Sequence, residues 1–124
     1  MTNTQIGRKL VDLCNAGKSL EAVDTLYDDK IVSIEGQGTD EMPARTEGIQ
    51  AVRGKNVWWY DHHEVHRSKV VGPFCGHRDD QFAALFETDV TDKTSGQRLQ
   101  LTEMAFYTVR GGKVVQEEFL YLQG

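Results

Sequence analysis

From Leu99 to Val109 the chain alternates. Leu99, Leu101, Ala105, Tyr107 and Val109 occupy odd positions, with Gln100, Thr102, Met104, Phe106 and Thr108 between them. A period of two marks a strand with one face turned to a core. Glu103 breaks the rule by standing in the apolar set. Past Gly111-Gly112 the alternation resumes with Val115, Glu117, Phe119 and Tyr121, again with one carboxylate among the apolar residues. An acid on a core-facing position is costly unless it is paired, protonated or open to a wet cavity. Two of them on neighbouring strands point to a hollow interior with polar chemistry inside.

The first third of the chain has helical spacing instead. Ile6, Leu10, Leu13 and Cys14 share one face of a first helix, for which Gly17 is the stop. Ser19 is placed to cap a second helix carrying Leu20, Val23, Leu26 and Tyr27, which Asp28-Asp29 interrupts. Ile31 to Glu35 is β-branched and reads as a short strand. Gly36 to Gly48, with its glycines, a proline and scattered polar residues, reads as a loop. A third helix is expected from about Gly48 to His62, with Ile49, Val52, Asn56, Trp59 and His63 near one stripe.

Strands are then expected over Val65–Val71, ended by Gly72-Pro73, and over Gln81–Thr91, Gln97–Arg110 and Lys113–Leu122. Asp79-Asp80, Asp92 to Gly96 and Gly111-Gly112 supply the turns. Helices followed by an antiparallel meander make an α+β domain with helices on one sheet face. On the middle strand Phe82, Ala84, Phe86, Thr88 and Val90 are expected inward, and Asp89 outward. A strict two-residue turn at Gly111-Gly112 would send Glu103 and Glu117 to opposite faces. A three-residue turn, Arg110 to Gly112, with glycine in a left-handed bulge, keeps both inside. Glu103 then faces Phe119, Ala105 faces Glu117, and the acids are diagonal neighbours roughly 7 Å apart.

Composition narrows the function. The 124 residues suit one domain spanning 1–124. A net charge of −5, with Lys and Arg scattered, argues against a nucleic-acid partner, which needs a basic footprint. No apolar run is long enough for a bilayer, and the start lacks the build of a signal peptide, so no membrane partner and a cytoplasmic location are expected. Cys14 and Cys75 have neither metal-ligand nor redox spacing, and Cys14 on an apolar stripe is expected to be reduced. His62 and His66 have i, i+4 spacing, but the helix is expected to end near His63, which breaks the pair. No metal and no cofactor are expected.

The element order resembles the nuclear-transport-factor-2-like superfamily, and its SnoaL-like branch in particular. The likeness is carried by Leu26-Tyr27-Asp28-Asp29 before Ile31-Val32-Ser33-Ile34-Glu35, by Glu47-Gly48-Ile49, by Lys55 with Trp58-Trp59, and by Gly112-Lys113-Val114-Val115-Gln116-Glu117-Glu118-Phe119. The resemblance implies a cone-shaped α+β fold, its curved antiparallel sheet wrapped around helices and an internal pocket. It also implies a homodimer through the outer sheet face, where Met104 and Phe106 remain as apolar residues. Members include ketosteroid isomerase, scytalone dehydratase, limonene epoxide hydrolase and polyketide cyclases, which commonly work with pocket carboxylates and no cofactor. Phe86 and Thr88 stand where the limonene-type hydrolases carry Arg and Asp. Neither Phe119 nor Tyr121 supplies the late aspartate of cyclases, and the ketosteroid-isomerase signature is lacking.

Glu103 and Glu117 are therefore the candidate catalytic residues. Glu103 reads either as a proton shuttle or as a buried structural carboxyl; Glu117, near the strand's open end, reads as its partner or as solvated. Glu35, Trp59, His63, Phe86, Leu101, Tyr107, Phe119 and Tyr121 are candidate pocket residues, with Glu35 also readable as a surface charge. The expected function is cofactor-independent isomerase, dehydratase or cyclase chemistry on an apolar substrate bearing a carbonyl or hydroxyl. The alternative is a ligand-binding or dimerisation domain of the same fold.

Overall fold

The structure, a computed structural model, describes residues 1–38 and 43–122. Helix α1 (Asn3–Asn15) begins on a reciprocal cap: the Gln5 N–H donates to the Thr2 hydroxyl, and the Thr2 N–H donates to the Gln5 side chain. Such a cap stabilises the helix by about 1 kcal/mol. Ile6, Leu10 and Val11 turn inward from it. Helix α2 (Ser19–Leu26) buries Ala22, Val23 and Leu26.

Tyr27 is not a helical residue of α2: it caps the helix, its N–H donating to the Val23 carbonyl, and opens strand β1 (Tyr27–Ile34), four residues before the expected start at Ile31. Asp28 and Asp29 lie within this strand, where the pairing shifts register between Tyr27 and Val32. That irregularity lets two polar residues pass without breaking the strand. Tyr27, Ile31 and Ser33 are its buried residues. The segment expected to be loop contains strand β2 (Arg45–Glu47), which pairs antiparallel with β1. The rest of that expected loop includes residues 39–42, which lie outside the described residues.

Helix α3 (Ile49–His62) matches its expected span and runs directly into strand β3 (His63–Phe74). Gly72-Pro73 does not end β3, which continues to Phe74 with a register shift after Val71. β3 is an edge strand, where the missing N–H of a proline is tolerated. Strands β4 (Gln81–Asp92), β5 (Arg98–Arg110) and β6 (Lys113–Tyr121) follow the alternation in the sequence. The sheet is open, in the order β2-β1-β6-β5-β4-β3. It is antiparallel except that β1 lies parallel to β6, a pairing between the first and last strands that a meander alone does not provide.

The last hairpin reaches the expected outcome by a different route. Arg110 pairs with Lys113 across a two-residue turn, with Gly111 and Gly112 at φ 60° and 78°. Two successive positive φ values are the primed geometry that matches strand twist, and glycine adopts them without strain. Val109 pairs with Val114 but Thr108 pairs with Gln116, so Val115 is an extra residue on β6. This bulge, not a three-residue turn, restores the parity and keeps Glu117 inside. It also moves the acids apart: Glu117 faces Tyr107 and Glu103 faces Tyr121. They are four positions apart on the ladder, about 13 Å of strand, and not diagonal neighbours.

The three helices lie on the concave face of the sheet. Ile6, Leu10, Leu26, Ile31, Val52, Phe82, Tyr107 and Val114 form much of one core, with Phe82 and Tyr107 stacked at 4.8 Å between ring centroids. Burying each large side chain contributes about 1.5–3 kcal/mol. This packing fills one end of the concave face and leaves the other hollow. None of the described helices is long and apolar enough to cross a membrane.

Candidate functional site

The hollow is a cavity of about 590 Å³, within the range that holds small organic ligands. Tyr27, Tyr107 and Glu117 line it from β1, β5 and β6. Glu35, Lys55, Glu103 and Tyr121 add polar groups, and Val65, Trp59, Phe86 and Phe119 add apolar surface. Lys55 and Trp59 are one helical turn apart on α3, so both face the sheet. Gly36, just past β1, leaves room for Tyr121: a Cβ there would stand 2.7 Å from the tyrosine ring.

A hydrogen-bond chain crosses the polar side. Lys55 Nζ donates to Glu35 Oε1 at 2.8 Å and also to Ser33 Oγ. Ser33 Oγ donates to Glu117 Oε2 at 2.6 Å, and the Tyr27 hydroxyl donates to Glu117 Oε1. The Tyr121 hydroxyl donates to Glu35 Oε2 at 3.1 Å. An ammonium group only donates, so the single Ser33 proton is directed onto Glu117. Both oxygens of Glu117 are thus satisfied although the residue is 2% exposed. Burial pushes the Glu117 carboxyl upward, and the Ser33 and Tyr27 hydroxyls and the Lys55 charge pull it back. The Tyr27 and Tyr107 phenols are pushed up, first by burial and then by the Glu117 charge.

Glu103 differs. Among the described residues no side chain hydrogen-bonds its carboxyl, which lines the cavity opposite Phe86 on β4 and Tyr121 on β6. Burial, reinforced by the Glu35 charge and opposed by Lys55, pushes it up to about 7. Inside a cavity, such a group exchanges a proton near neutral pH. Cys14, half-buried and free, also lines the cavity, and burial pushes its thiol up to about 11, leaving it protonated.

Nine of the ten candidate residues line this one cavity: Glu35, Trp59, His63, Phe86, Glu103, Tyr107, Glu117, Phe119 and Tyr121. Leu101 does not. It lies beyond Glu103–Tyr121, the last pair joining β5 to β6, although its β4 partner Thr88 does line the cavity. Glu117 is enclosed, not solvated, and Glu35 is not a free surface charge, since its side chain is 24% exposed and bound by Lys55 and Tyr121. His63 sits at the junction of α3 and β3, its Nδ1 2.8 Å from the Trp59 carbonyl and its ring stacked on Trp59 at 4.3 Å. His62 ends α3 while His66 lies on β3 against Thr91, and no cluster of metal-ligating side chains occurs among the described residues. Asp89 faces outward and is held by Arg98.

Tyr27, Ser33 and Lys55 were not among the candidates. Ser33 was accessible to the same logic that found the acids, since it shares the inward parity of Ile31. Tyr27 was hidden because Leu26 and Tyr27 fit a helical stripe as readily as a strand start.

A family model for the SnoaL-like domain matches residues 1–121. No curated protein matches the chain. Among solved structures, a Mesorhizobium loti protein provisionally named a SnoaL-like polyketide cyclase is 36% identical, with a TM-score of 0.91 over 98% of this chain and 100% of its own. A provisionally named polyketide cyclase from Pseudomonas putida has a TM-score of 0.73 at 17% identity, over 98% of this chain and 92% of its own. A provisionally named isomerase from Bacillus subtilis has a TM-score of 0.75 at 16% identity, over 98% and 90%. At those lower identities the likeness is one of fold alone. With its family model covering nearly every residue and a relative alike along its whole length, the chain belongs to the SnoaL-like domain family of the nuclear-transport-factor-2-like fold.

Proposed function

We propose that the protein is a small-molecule enzyme of the isomerase, dehydratase or cyclase type, in which Glu103 moves a proton. The supporting observation is the Glu103 carboxyl, unpartnered among the described residues and facing a 590 Å³ cavity with aromatic walls. As a carboxylate it removes a proton from the carbon beside a substrate carbonyl. Charge then develops on the carbonyl oxygen. Lys55 answers that charge, because among the described residues Glu35 and Ser33 take two of its three N–H groups and leave one. The proton returns from Glu103 to another carbon in an isomerisation, or to a leaving hydroxyl in a dehydration. Glu117, enclosed by Tyr27 and Ser33, holds Lys55 in place through Ser33 and does not itself meet the substrate.

The test is exchange of the α-protons of 2-tetralone in deuterated buffer, followed by NMR. The wild-type protein accelerates exchange, and Glu103→Gln lowers the rate by about 10²–10⁴-fold, the usual contribution of a positioned base. A folded Glu103→Gln protein that exchanges equally fast, or a wild type no faster than buffer, overturns the assignment.

On the opposite face of the sheet Phe74, Phe106 and Leu120 are 51%, 45% and 44% exposed. Pairing places Phe74 and Phe106 on either side of Ala83, and Met104 beside Leu120. This continuous apolar surface is the proposed contact between two copies of the chain.

A further inference from the structure

The cavity holds more acid than base. Glu35, Glu103 and Glu117 line it, and Lys55 is the sole Lys or Arg among its described lining residues. Lys55 is bound to Glu35 and Ser33, Glu35 also accepts from Tyr121, and Glu117 has its two hydroxyl donors. Among the described residues Glu103 is left without a side-chain partner. The charged and titratable groups around it include Glu35 after β1, Lys55 on α3, His63 at the start of β3, Tyr107 on β5, and Glu117 and Tyr121 on β6. Around this residue the walls are aromatic: Phe86 lies opposite it, and the Phe86 and Phe119 rings meet edge to face at 6.4 Å.

In such a site three carboxyl groups face one ammonium that is already paired with Glu35, so a ligand carboxylate meets an excess of like charge. A ligand ammonium supplies the missing partner and finds aromatic faces suited to a cation. We propose that the cavity selects its ligand by charge, taking an apolar body that carries a protonated amine against Glu103 and excluding the carboxylate of the same shape. This rests on the reading that the cavity receives a small molecule, but does not require Glu103 to move a proton. Where the substrate is neutral, such an amine is a competitor for the same carboxyl. Because the amine favours ionised Glu103, binding strengthens as pH rises through neutrality and releases a proton.

The experiment compares 2-(aminomethyl)naphthalene, 2-(hydroxymethyl)naphthalene and 2-naphthoate by calorimetry on the full chain. The expected order at about pH 8 is amine tighter than alcohol by about tenfold, with the carboxylate weakest of the three. Amine affinity is several-fold lower at about pH 6, and Glu103→Gln brings amine and alcohol together. Amine titrations of the wild type in buffers of different ionisation enthalpy read the released proton without any variant. A carboxylate that binds as tightly as the amine, an amine advantage that survives Glu103→Gln, or binding with no proton released overturns the proposal. So does failure of all three probes to bind. The exchange experiment on 2-tetralone stands or falls separately from each of these results.

Discussion

The two acid groups of the β5–β6 hairpin live in opposite circumstances a short distance apart. Glu117 is enclosed where it meets the cavity, and both its oxygens accept from hydroxyls. Glu103 lies on the cavity wall and receives no hydrogen bond from any described side chain. Both are pushed upward by burial. The difference is what opposes that push: local donors at Glu117, and chiefly the more distant Lys55 charge at Glu103. A buried acid with its donors in place is part of the architecture, while one without them is poised to react.

The largest expected effect comes from breaking the satisfied end. Glu117→Ala leaves the Ser33 and Tyr27 hydroxyls without their acceptor and opens a void. The expected loss is about 3–5 kcal/mol of stability, read by urea unfolding. A loss below about 1 kcal/mol would mean that the chain of donors is not holding the fold.

The unpartnered end gives a smaller effect that depends on pH. Glu103 titrates near 7 in the folded chain, against 4.5 for the free side chain. Between those values the folded state keeps a proton that the unfolded state gives up, so stability falls as pH rises. Below both values the group contributes no pH dependence, and above both the loss is complete. The expected loss is about 3 kcal/mol. Glu117 acts in the same direction, so the measurement is the difference between wild type and Glu103→Gln at each pH. The variant is expected to be the more stable protein at about pH 8 and to lose that margin at about pH 4. A difference that does not change with pH would place the Glu103 titration outside this range.

The smallest effect on folding tests the sheet's other face. Phe106→Glu is expected to abolish self-association in sedimentation experiments while changing unfolding stability of the monomer by less than about 0.5 kcal/mol. A wild type that sediments as a monomer removes the proposed contact.

Much of this arrangement was legible in the residues themselves. Alternation with a misplaced acid was enough to put Glu103 and Glu117 inside, because period two is a property of the backbone and survives without tertiary detail. It found Phe86, Tyr107 and Phe119 for the same reason. The partners were harder. Nothing local in Tyr27 says that a helix has just ended, and the bonds from Tyr27 and Ser33 to Glu117 span 90 and 84 positions. Such contacts depend on β1 lying beside β6, a pairing set by the whole fold. Leu101 failed for a related reason: its parity is right and its partner Thr88 lines the cavity, but β6 ends before reaching it.

Val115, the extra residue on β6, separates two properties that a plain hairpin would tie together. The tight glycine corner needs one pairing phase, and the hollow needs the other. The phase change is confined to that one position, so whether Val115 stays outside the ladder decides which acid faces inward. Were the bulge closed with every residue kept, Glu118 would face Ala105 on the inner side and Glu117 would turn outward, whereas removing Val115 itself would leave Glu117 facing Tyr107 across a plain ladder.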